Sequence, residues 1–368
     1  MNVPPLDLSA QFAVIRPEVM RRVEEVFGTQ RFILGPLVEE LEGEIAALCG
    51  VKHGVGVASG SDALLLSLMA LGVQPGDAVV TTPFSFFSTV SAVTRLGARP
   101  YFVDIEPQTC NLDPDLLAQV PATGVKAVLP VHLYGQPARM EEIVSWAQTI
   151  GIAVLEDAAQ AIGASRLGRP AGNWGTLAGF SFYPTKNLGG AGDGGMIVTN
   201  DDGIAQHLRS LRDHGAKRRY FHDEVGLNSR LGALQAAVLL AKLPHLQRWN
   251  EERRRIADRY RERLAGLPIT PPVEAEGNYH IYHQFMIRVP GKRDELKAYL
   301  NQEGIYAEIF YPVPLHLQEC FRHLGYRTGD FPQAERAAAE ILGLPIYPEL
   351  GEERFEYVCA KVRAFFAS

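Results

Sequence analysis

The residues best suited to chemistry lie in the segment FSFYPTKNLGGAGDGG, residues 180–195, where Lys186 closely follows an apolar run. Glycine fills five of the seven positions from 189 to 195, and glycine lets a backbone approach a ligand closely. The hydroxyl of Ser181, on the preceding run, could reach a phosphate. An isolated lysine is usually a solvated side chain, but this setting favours a ligand-binding one.

Asp157 is the second candidate, because it ends the apolar run of IAVLEDAA and Gln160 follows three residues later. Parallel strands present ligand contacts at their carboxyl ends, although an N-cap aspartate is the ordinary alternative. A lysine that can form a Schiff base and an aspartate that can keep a pyridine nitrogen protonated are the two groups that pyridoxal phosphate (PLP) chemistry needs. Lys186 and Asp157 together therefore indicate a PLP site.

Two further segments could complete such a site. SGSDAL, residues 59–64, brings glycine and hydroxyls to a predicted helix start, where free N–H groups can cradle a phosphate; plain capping of the helix by Ser61 is the alternative. TPFSFFST, residues 82–89, follows a predicted strand. An aromatic ring there could stack on a planar cofactor, and core packing is the alternative.

The elements that must position these residues alternate between helix and strand from residue 36 to residue 200, which predicts a large α/β domain with a buried parallel sheet. The apolar pattern predicts helices that end at Gly50 and Gly72. Strands are predicted at Ala78–Thr82, Pro100–Val103, Ala127–Val131, Ile152–Leu155, Ala178–Phe182 and Met196–Thr199.

A change of pattern near residue 250 predicts a second domain. We expect residues 1–250 to form the large domain with an N-terminal arm, and residues 251–368 a smaller α+β domain. The elements predicted around and beyond the boundary are helices at Leu231–Leu243, 251–266 and Glu295–Glu303, a strand at Phe285–Val289 and a final amphipathic helix. Arg253–Arg255 is expected to form a solvated helix face.

Composition limits the possible classes of protein. The chain has 368 residues, 46% of them apolar, and a net charge of −6, which is typical of a globular protein and disfavours nucleic acid as a partner. The four cysteines are far apart and form no zinc pattern, so we expect reduced thiols and no metal. Without a signal peptide or a long apolar stretch, a cytoplasmic protein is expected, with no membrane contact.

Taken in order, these segments resemble the DegT-type nucleotide-sugar aminotransferases, a family of fold type I PLP enzymes. The likeness extends from RFILGPLVEELE near residue 31 to LPIYPEL near residue 344. The blocks that carry it are SGSDAL, TPFSFFST, EDAAQAIGA, SFYPTKNLGGAGDGG, the DHG of residues 213–215 and VGLNSRLGALQAA.

The resemblance implies a role for each matching residue. Lys186 would bind PLP covalently and move protons, and Asp157 would pair with the pyridine nitrogen. The other implied cofactor contacts are Gln160 near the ring hydroxyl, Phe86 on the ring face, and Gly60, Ser61 and Ser181 at the phosphate. Asn228 would reach the phosphate site of a second subunit, which implies a homodimer with shared active sites.

The implied reaction moves an amino group from an amino acid, with L-glutamate expected, to a nucleotide-linked keto sugar. Lys186 favours transamination, since related dehydratases carry histidine at that position. The blocks VGLNSRL and FYPTKNLG look more like members that aminate C3 of the sugar than those that aminate C4. Amination at C4 and a PLP-binding regulator without turnover remain the alternatives.

The substrate contacts implied by the family are Arg230, Tyr311 and His316. Many relatives carry histidine where this chain has Phe310, which favours an uncharged 6-deoxy sugar over a uronic acid. The basic run 217–219 could hold a nucleotide diphosphate or lie in a solvated loop. A PLP enzyme that acts on amino acids alone would need a pair of carboxylate-binding arginines, and only Arg230 is a ready candidate in the sequence.

Overall fold

The computed structural model describes residues 1–367, which form helices and strands over most of their length. The strands are β1 (His53–Val57), β2 (Ala78–Thr81), β3 (Arg99–Phe102), β4 (Val125–Leu129), β5 (Ala153–Asp157), β6 (Ser165–Arg166), β7 (Arg169–Pro170), β8 (Leu177–Ser181), β9 (Gly195–Thr199), β10 (Ala216–Arg218), β11 (Phe221–His222), β12 (Asn278–Tyr279), β13 (Phe285–Arg288) and β14 (Ile341–Leu344). The helices are α1 (Leu8–Thr29), α2 (Pro36–Cys49), α3 (Gly60–Ala70), α4 (Ser88–Arg95), α5 (Met140–Ile150), α6 (Asp202–Leu211), α7 (Ala233–Lys242), α8 (Leu246–Arg263), α9 (Arg293–Gln302), α10 (Pro332–Glu340) and α11 (Glu352–Ala367).

A seven-stranded sheet in the order β1-β9-β8-β5-β4-β2-β3 organises the first two thirds of the chain. All of its neighbouring pairs are parallel except the two that β9 makes with β8 and β1. Asp157 and Ser181 are the last residues of the adjacent strands β5 and β8. The predicted α/β architecture with a mostly parallel sheet is therefore confirmed, and the sheet brings the two segments with candidate chemistry to one edge.

Some ends of helices and strands differ from the prediction, and one helix was not predicted. The N-cap of α3 is Ser59, whose hydroxyl accepts the N–H of Asp62 at 3.1 Å, so capping by Ser61 is wrong. Strand β5 continues to Asp157 rather than ending at Leu155, and Asp157 caps no helix. The long helix α1 was not predicted; it contains Pro17 and has an interrupted apolar pattern.

The C-terminal third has its own hydrophobic cluster, built on the antiparallel pair β13-β14 and on helices α8, α9 and α11. Val3 belongs to the same cluster, because the N-terminal segment pairs with Ile305. Residue 250 lies inside α8, so a division there cuts a helix. The separation into residues 1–250 and 251–368 stays a prediction.

The solvated face predicted at Arg253–Arg255 is wrong for Arg253, which is only 4% exposed. Ile256, Ala257 and Tyr260 are also buried and occupy the same face of α8, three, four and seven residues further on. Arg254 is partly exposed and pairs with Glu274 at 2.7 Å. Only Arg255 is a largely exposed surface arginine.

Candidate active site

A cavity of about 480 Å³ opens where β5 and β8 end. Its walls come from the start of α3, the segment before α4, the turn after β8 and two segments from the C-terminal third of the chain. The sequence-predicted residues that line it are Gly60, Ser61, Phe86, Asp157, Gln160, Ser181, Lys186 and Tyr311. The fold thus brings together side chains that are as far as 251 positions apart in sequence, from Gly60 to Tyr311.

Lys186 lies in the turn after β8, where its backbone N–H donates to the carbonyl of Tyr183 at 2.8 Å. Removal of its side chain from water lowers the pKa of the ammonium group to about 8, and the charge of Asp157 opposes part of that shift. A lowered pKa leaves more of the amine unprotonated near neutral pH. Lys186 can therefore act as a nucleophile and accept a proton.

Asp157 is buried on the wall of the cavity, and its Oδ2 accepts the hydroxyl of Thr89 at 2.8 Å. Ser85 and Thr89 share a second hydrogen bond of 2.8 Å, so two hydroxyls in series hold the carboxylate in place. Burial raises the pKa of Asp157, while the hydrogen bond from Thr89 and the charge of Lys186 lower it. A protonated ring nitrogen is the kind of donor that such a carboxylate would stabilise.

The start of α3 forms an anion site beside this pair. Ser59 satisfies only the N–H of Asp62, so the first N–H groups of the helix, from Gly60 and Ser61, stay available to an anion. The hydroxyl of Ser61 lies 2.6 Å from that of Ser88. A Cβ atom on Gly60 would lie 2.6 Å from the Cβ of Ser181, so only glycine allows this approach. The donors suit the phosphate of PLP.

The remaining space suits a flat ring. Phe86 is 54% exposed, which excludes the core-packing alternative, and its ring centroid lies 6.0 Å from that of Tyr311. The Gln160 amide is fixed at both ends: its oxygen accepts the N–H of Tyr134 at 2.6 Å, and its nitrogen donates to the Tyr311 hydroxyl at 3.1 Å. The cavity therefore offers a phosphate cradle, a carboxylate and an amine, with the exposed ring of Phe86 on one wall.

Three predicted residues do not line this cavity. His316 is buried between Phe102 and Phe331, and its Nε2 lies 3.1 Å from a carboxylate oxygen of Glu335. His316 therefore does not line the cavity, and the substrate contact implied for it stays a prediction.

Asn228 and Arg230 lie elsewhere in the single chain. Asn228 forms a backbone bridge with Asp213, and Arg230 forms an ion pair with the same aspartate at 2.8 Å. The basic run 217–219 lies on and beside β10, in the exposed hairpin formed with β11. The roles implied for Asn228, Arg230 and this run stay predictions.

His283 also lines the cavity and was not predicted. Asn187 donates its amide hydrogens to Asn250 at 2.7 Å and to the carbonyl of Ile281 at 3.3 Å, so its oxygen accepts from His283 Nδ1 at 3.1 Å. Burial and the charges of Lys186 and Arg253 lower the pKa of His283. The ring is therefore neutral, with an acceptor lone pair on Nε2. No glycine-rich or strand-end pattern marks this histidine in the sequence.

Within residues 1–367 no group of three or more His, Cys, Asp or Glu side chains could hold a metal ion. No helix in that range is both long enough and apolar enough to cross a membrane.

Comparison with known proteins gives extensive matches. The model of the DegT/DnrJ/EryC1/StrS aminotransferase family matches residues 13–363. A "pleiotropic regulatory protein" of Geobacillus stearothermophilus is 51% identical over 100% of this chain and 99% of its own. A UDP-N-acetyl-3-dehydro-alpha-D-glucosamine 3-aminotransferase of Acidithiobacillus ferrooxidans is 44% identical over 98% and 97%. The crystal structure of S. venezuelae DesV, solved with a ketimine intermediate, covers 100% of this chain and 99% of its own with a TM-score of 0.97 and 41% identity.

Proposed function

The chain belongs to the DegT/DnrJ/EryC1/StrS aminotransferase family, and we propose that it transfers an amino group from L-glutamate to C3 of a nucleotide-linked keto sugar. It is a PLP-dependent sugar aminotransferase with the fold type I architecture. The observation that carries the proposal is the shared cavity of Lys186 and Asp157 beside the anion site of α3.

The residues of the cavity fit PLP by their chemistry. Gly60, Ser61 and Ser181 would hold its phosphate, Asp157 would keep its ring nitrogen protonated, and Phe86 would contact the ring face. When bound, PLP supplies an electron sink for the carbanion formed at the substrate carbon. The contribution of the protein is to hold that sink in one orientation and to keep Asp157 charged beside it.

Lys186 would move the protons of both half-reactions. Its unprotonated Nζ would take the proton from the α-carbon of the amino donor, which leaves as a 2-oxo acid. In the second half-reaction the Lys186 ammonium would deliver a proton to C3 of the sugar, which leaves as an amino sugar. The pKa of about 8 suits both directions, because neither the acid nor the base form is scarce near neutral pH.

Three observations support an uncharged 3-keto sugar. The block VGLNSRL resembles members that aminate C3, and the printed name of the Acidithiobacillus relative specifies a 3-dehydro sugar. Phe310, which lines the cavity, presents an apolar ring that cannot pair with a carboxylate. We therefore propose an uncharged sugar, with a 6-deoxy sugar preferred over a uronic acid; amination at C4 is the alternative within the same chemistry.

The test is a panel of amino sugar nucleotides offered to the purified, PLP-loaded protein with 2-oxoglutarate. The reaction is run in this direction because 3-keto sugars are labile. We expect glutamate to form from 3-amino sugars, with the position assigned by NMR of the sugar product. Glutamate formed only from 4-amino sugars would overturn the C3 assignment. Glutamate formed only from amino acids would overturn the proposal that the substrate is a sugar.

A regulator is the second candidate, because the Geobacillus stearothermophilus relative carries the name of a regulatory protein. The same panel separates the two. A regulator would bind PLP and a sugar nucleotide, yet it would form no glutamate from any member of the panel. Turnover is therefore the measurement that decides between the two.

We further propose a cytoplasmic homodimer with shared active sites. Large apolar side chains are exposed on α1 and on the segment after it: Phe12, Val14, Met20, Phe27, Phe32 and Ile33. Exposed apolar clusters of this kind favour a protein interface. Asn228, which lies outside the cavity of its own chain, could then complete the phosphate site of the other subunit. The mass in solution, measured by light scattering, tests the dimer.

A further inference from the structure

A second cavity, of about 290 Å³, adjoins the cavity of Lys186. The two share the lining residues Tyr183, Thr185, His283, Gln284 and Phe310. Thr185 directly precedes Lys186, so the two cavities meet beside the turn that carries the reactive amine. The rest of its wall comes from the N-terminal segment, from β14 and from Arg253 on α8.

Arg253 is a buried cation that is only partly used by the protein. Its Nη1 donates to the carbonyls of Tyr282 and His283 at 3.2 Å and of Ile346 at 2.8 Å. Its Nε is buried without a partner, and within residues 1–367 neither Nε nor Nη2 makes a hydrogen bond or an ion pair. Burial lowers the pKa of Arg253 to about 10, so the guanidinium stays charged at neutral pH without a paired anion.

The unused donors of Nη2 suit a carboxylate. Nη2 makes no hydrogen bond and, unlike Nε, is not fully buried, so its N–H groups can donate to a carboxylate oxygen in a charge-assisted hydrogen bond. A buried arginine without an anion is costly, and a bound carboxylate would offset that cost.

The other charges near Arg253 are few. Glu349 is half-buried and acts on it only through space, since it forms no ion pair with Arg253 among the described residues. Glu308 lines the second cavity but is exposed to water, which screens its charge. His283 is neutral, and Lys186 adds a positive charge. The second cavity therefore favours an anion at its buried end.

We propose that Arg253 binds the distal carboxylate of a dicarboxylic amino donor, with the amino group of that donor directed towards Lys186. The proposal rests on the proposed function and adds to it a residue that selects the donor. The α-carboxylate of an amino acid is one bond from the reacting carbon and must stay in the cavity of Lys186. The distal carboxylate of glutamate lies two methylenes further on and would reach the adjoining cavity.

The direct test is the binding of an unreactive dicarboxylate to the PLP-loaded protein, measured by calorimetry. Glutarate has both carboxylates but no amine, and pentanoate has the same chain length with one carboxylate. We expect glutarate to bind at least tenfold more tightly than pentanoate. Equal affinities in the unmodified protein would overturn the proposal, whatever any variant does.

Variants assign the effect to Arg253. Arg253→Met should reduce the affinity for glutarate to that for pentanoate, and Arg253→Lys should retain part of the preference. Arg255→Met is the matched control, because Arg255 lies on the same helix, is exposed and pairs with Glu252. Thermal unfolding checks that the Arg253 variants are folded. An equal loss in Arg255→Met, or an Arg253→Met protein that is folded and still prefers glutarate, contradicts the assignment.

Three further outcomes separate this proposal from others. If Arg253→Met loses affinity for UDP and keeps its affinity for glutarate, Arg253 serves the nucleotide and the proposal is wrong. If L-alanine replaces L-glutamate as donor with no loss of rate, the donor site is wrong while the aminotransferase function stands. If neither amino acid reacts with any sugar, the proposed function fails, and the glutarate measurement still decides whether Arg253 binds a dicarboxylate.

Discussion

Glu156 and Asp157 are consecutive carboxylates at the end of β5, and the two faces of the sheet use them differently. All of the acceptor capacity of Glu156 is filled. Its Oε2 accepts from Nε2 of His132 at 2.8 Å, and its two oxygens take three backbone N–H groups, from Gly172 at 2.8 Å, Trp174 at 2.8 Å and Gly175 at 2.7 Å. Glu156 therefore fixes the loop between β7 and β8.

Asp157, on the opposite face, is fixed by hydrogen bonds that use only part of the acceptor capacity of its carboxylate. Thr89 donates to one oxygen at 2.8 Å, and the N–H of Ala159 reaches the other at 3.3 Å. The carboxylate lines the cavity and keeps acceptor capacity for a ligand. Two identical functional groups thus differ because one is satisfied within the protein and the other is not. Unused hydrogen-bonding capacity beside a cavity marks the functional member of the pair.

The largest expected effect comes from a similar contrast between two lysines, one that lines the cavity and one that is satisfied within the protein. Lys186 lines the cavity, whereas the buried ammonium of Lys242 donates to the carbonyl of Gly189 at 2.7 Å. Lys186→Ala should leave PLP bound noncovalently and lower turnover by roughly 10⁴-fold or more, because the covalent link and the proton carrier are both lost. Borohydride reduction followed by peptide mapping should find the PLP adduct on Lys186.

Lys242→Ala is the control for this experiment. It should lower stability but keep the trapped adduct and most of the turnover. A reduced adduct mapped to Lys242 or to any other lysine would show that the wrong amine has been assigned.

The carboxylates themselves give the second test. Asp157→Asn should lower kcat by roughly 10²- to 10⁴-fold while PLP stays bound, since the phosphate contacts anchor the cofactor and the carboxylate supports the ring proton. Glu156→Gln should instead cost about 1–3 kcal/mol of stability, because a buried acceptor becomes a donor facing N–H groups, and kcat should change little. The measurements are kcat, PLP content and thermal unfolding. Similar kcat values for the two variants would remove the distinction between the faces.

The sequence predicts the architecture of this edge well, because glycine patterns and strand ends are local signals. The glycine at the start of α3 and the position of Lys186 after β8 follow from such signals, whereas the close approach of Gly60 to Ser181 is seen only in the folded chain. The sequence favours Asp157, but no local signal shows that its neighbour Glu156 is fully used by hydrogen bonds within the protein. Those hydrogen bonds depend on the loop 172–175, whose N–H groups reach Glu156 only in the folded chain.

The structure departs from the sequence analysis at His316 and at Arg253, for different physical reasons. His316 follows Tyr311 in one motif, yet it is buried and does not line the cavity, and no local pattern predicts that burial. Arg253 could have been predicted as buried, since it lies three and four positions before the apolar Ile256 and Ala257 on one helix face. The location of Asn228 relative to a phosphate depends on a second chain, and no single-chain pattern contains that information.

A third test asks whether Asn228, which lies outside the cavity of its own chain, belongs to the active site of the other subunit. Lys186→Ala and Asn228→Ala proteins should each be inactive, and heterodimers made from them should recover part of the activity, because one of the two sites then has both residues intact. The measurement is turnover after subunit exchange, with the fraction of heterodimer verified by differential tags. Verified heterodimers without recovery, or an Asn228→Ala protein that is fully active alone, contradict a shared site.

The fourth test uses pH to compare the carboxylates. Only the unprotonated amine attacks, so the rate at which added PLP becomes trappable on Lys186 should rise about tenfold per pH unit below the lysine pKa and level off above about 8. Asp157 raises that pKa by its charge, so Asp157→Asn should shift the profile to lower pH, while Glu156→Gln should not move it. A wild-type midpoint near 10.5, the ordinary value for lysine, would show that the cavity does not desolvate the amine.

The smallest expected effect concerns Phe310, where the cavity presents an aromatic ring and many relatives carry histidine. Its carbonyl accepts the hydroxyl of Tyr134, so the backbone is held independently of the side chain, and Phe310→His should leave the fold intact. A partly exposed ion pair contributes about 0–1 kcal/mol, which corresponds to at most about a fivefold change in rate. We therefore expect Phe310→His to raise kcat/KM for a nucleotide-linked uronic acid by up to that factor relative to the 6-deoxy sugar. The gain should be larger at pH 6 than at pH 8, because only the protonated imidazole pairs with the carboxylate. A wild-type enzyme that already prefers the uronic acid would overturn the role given to Phe310.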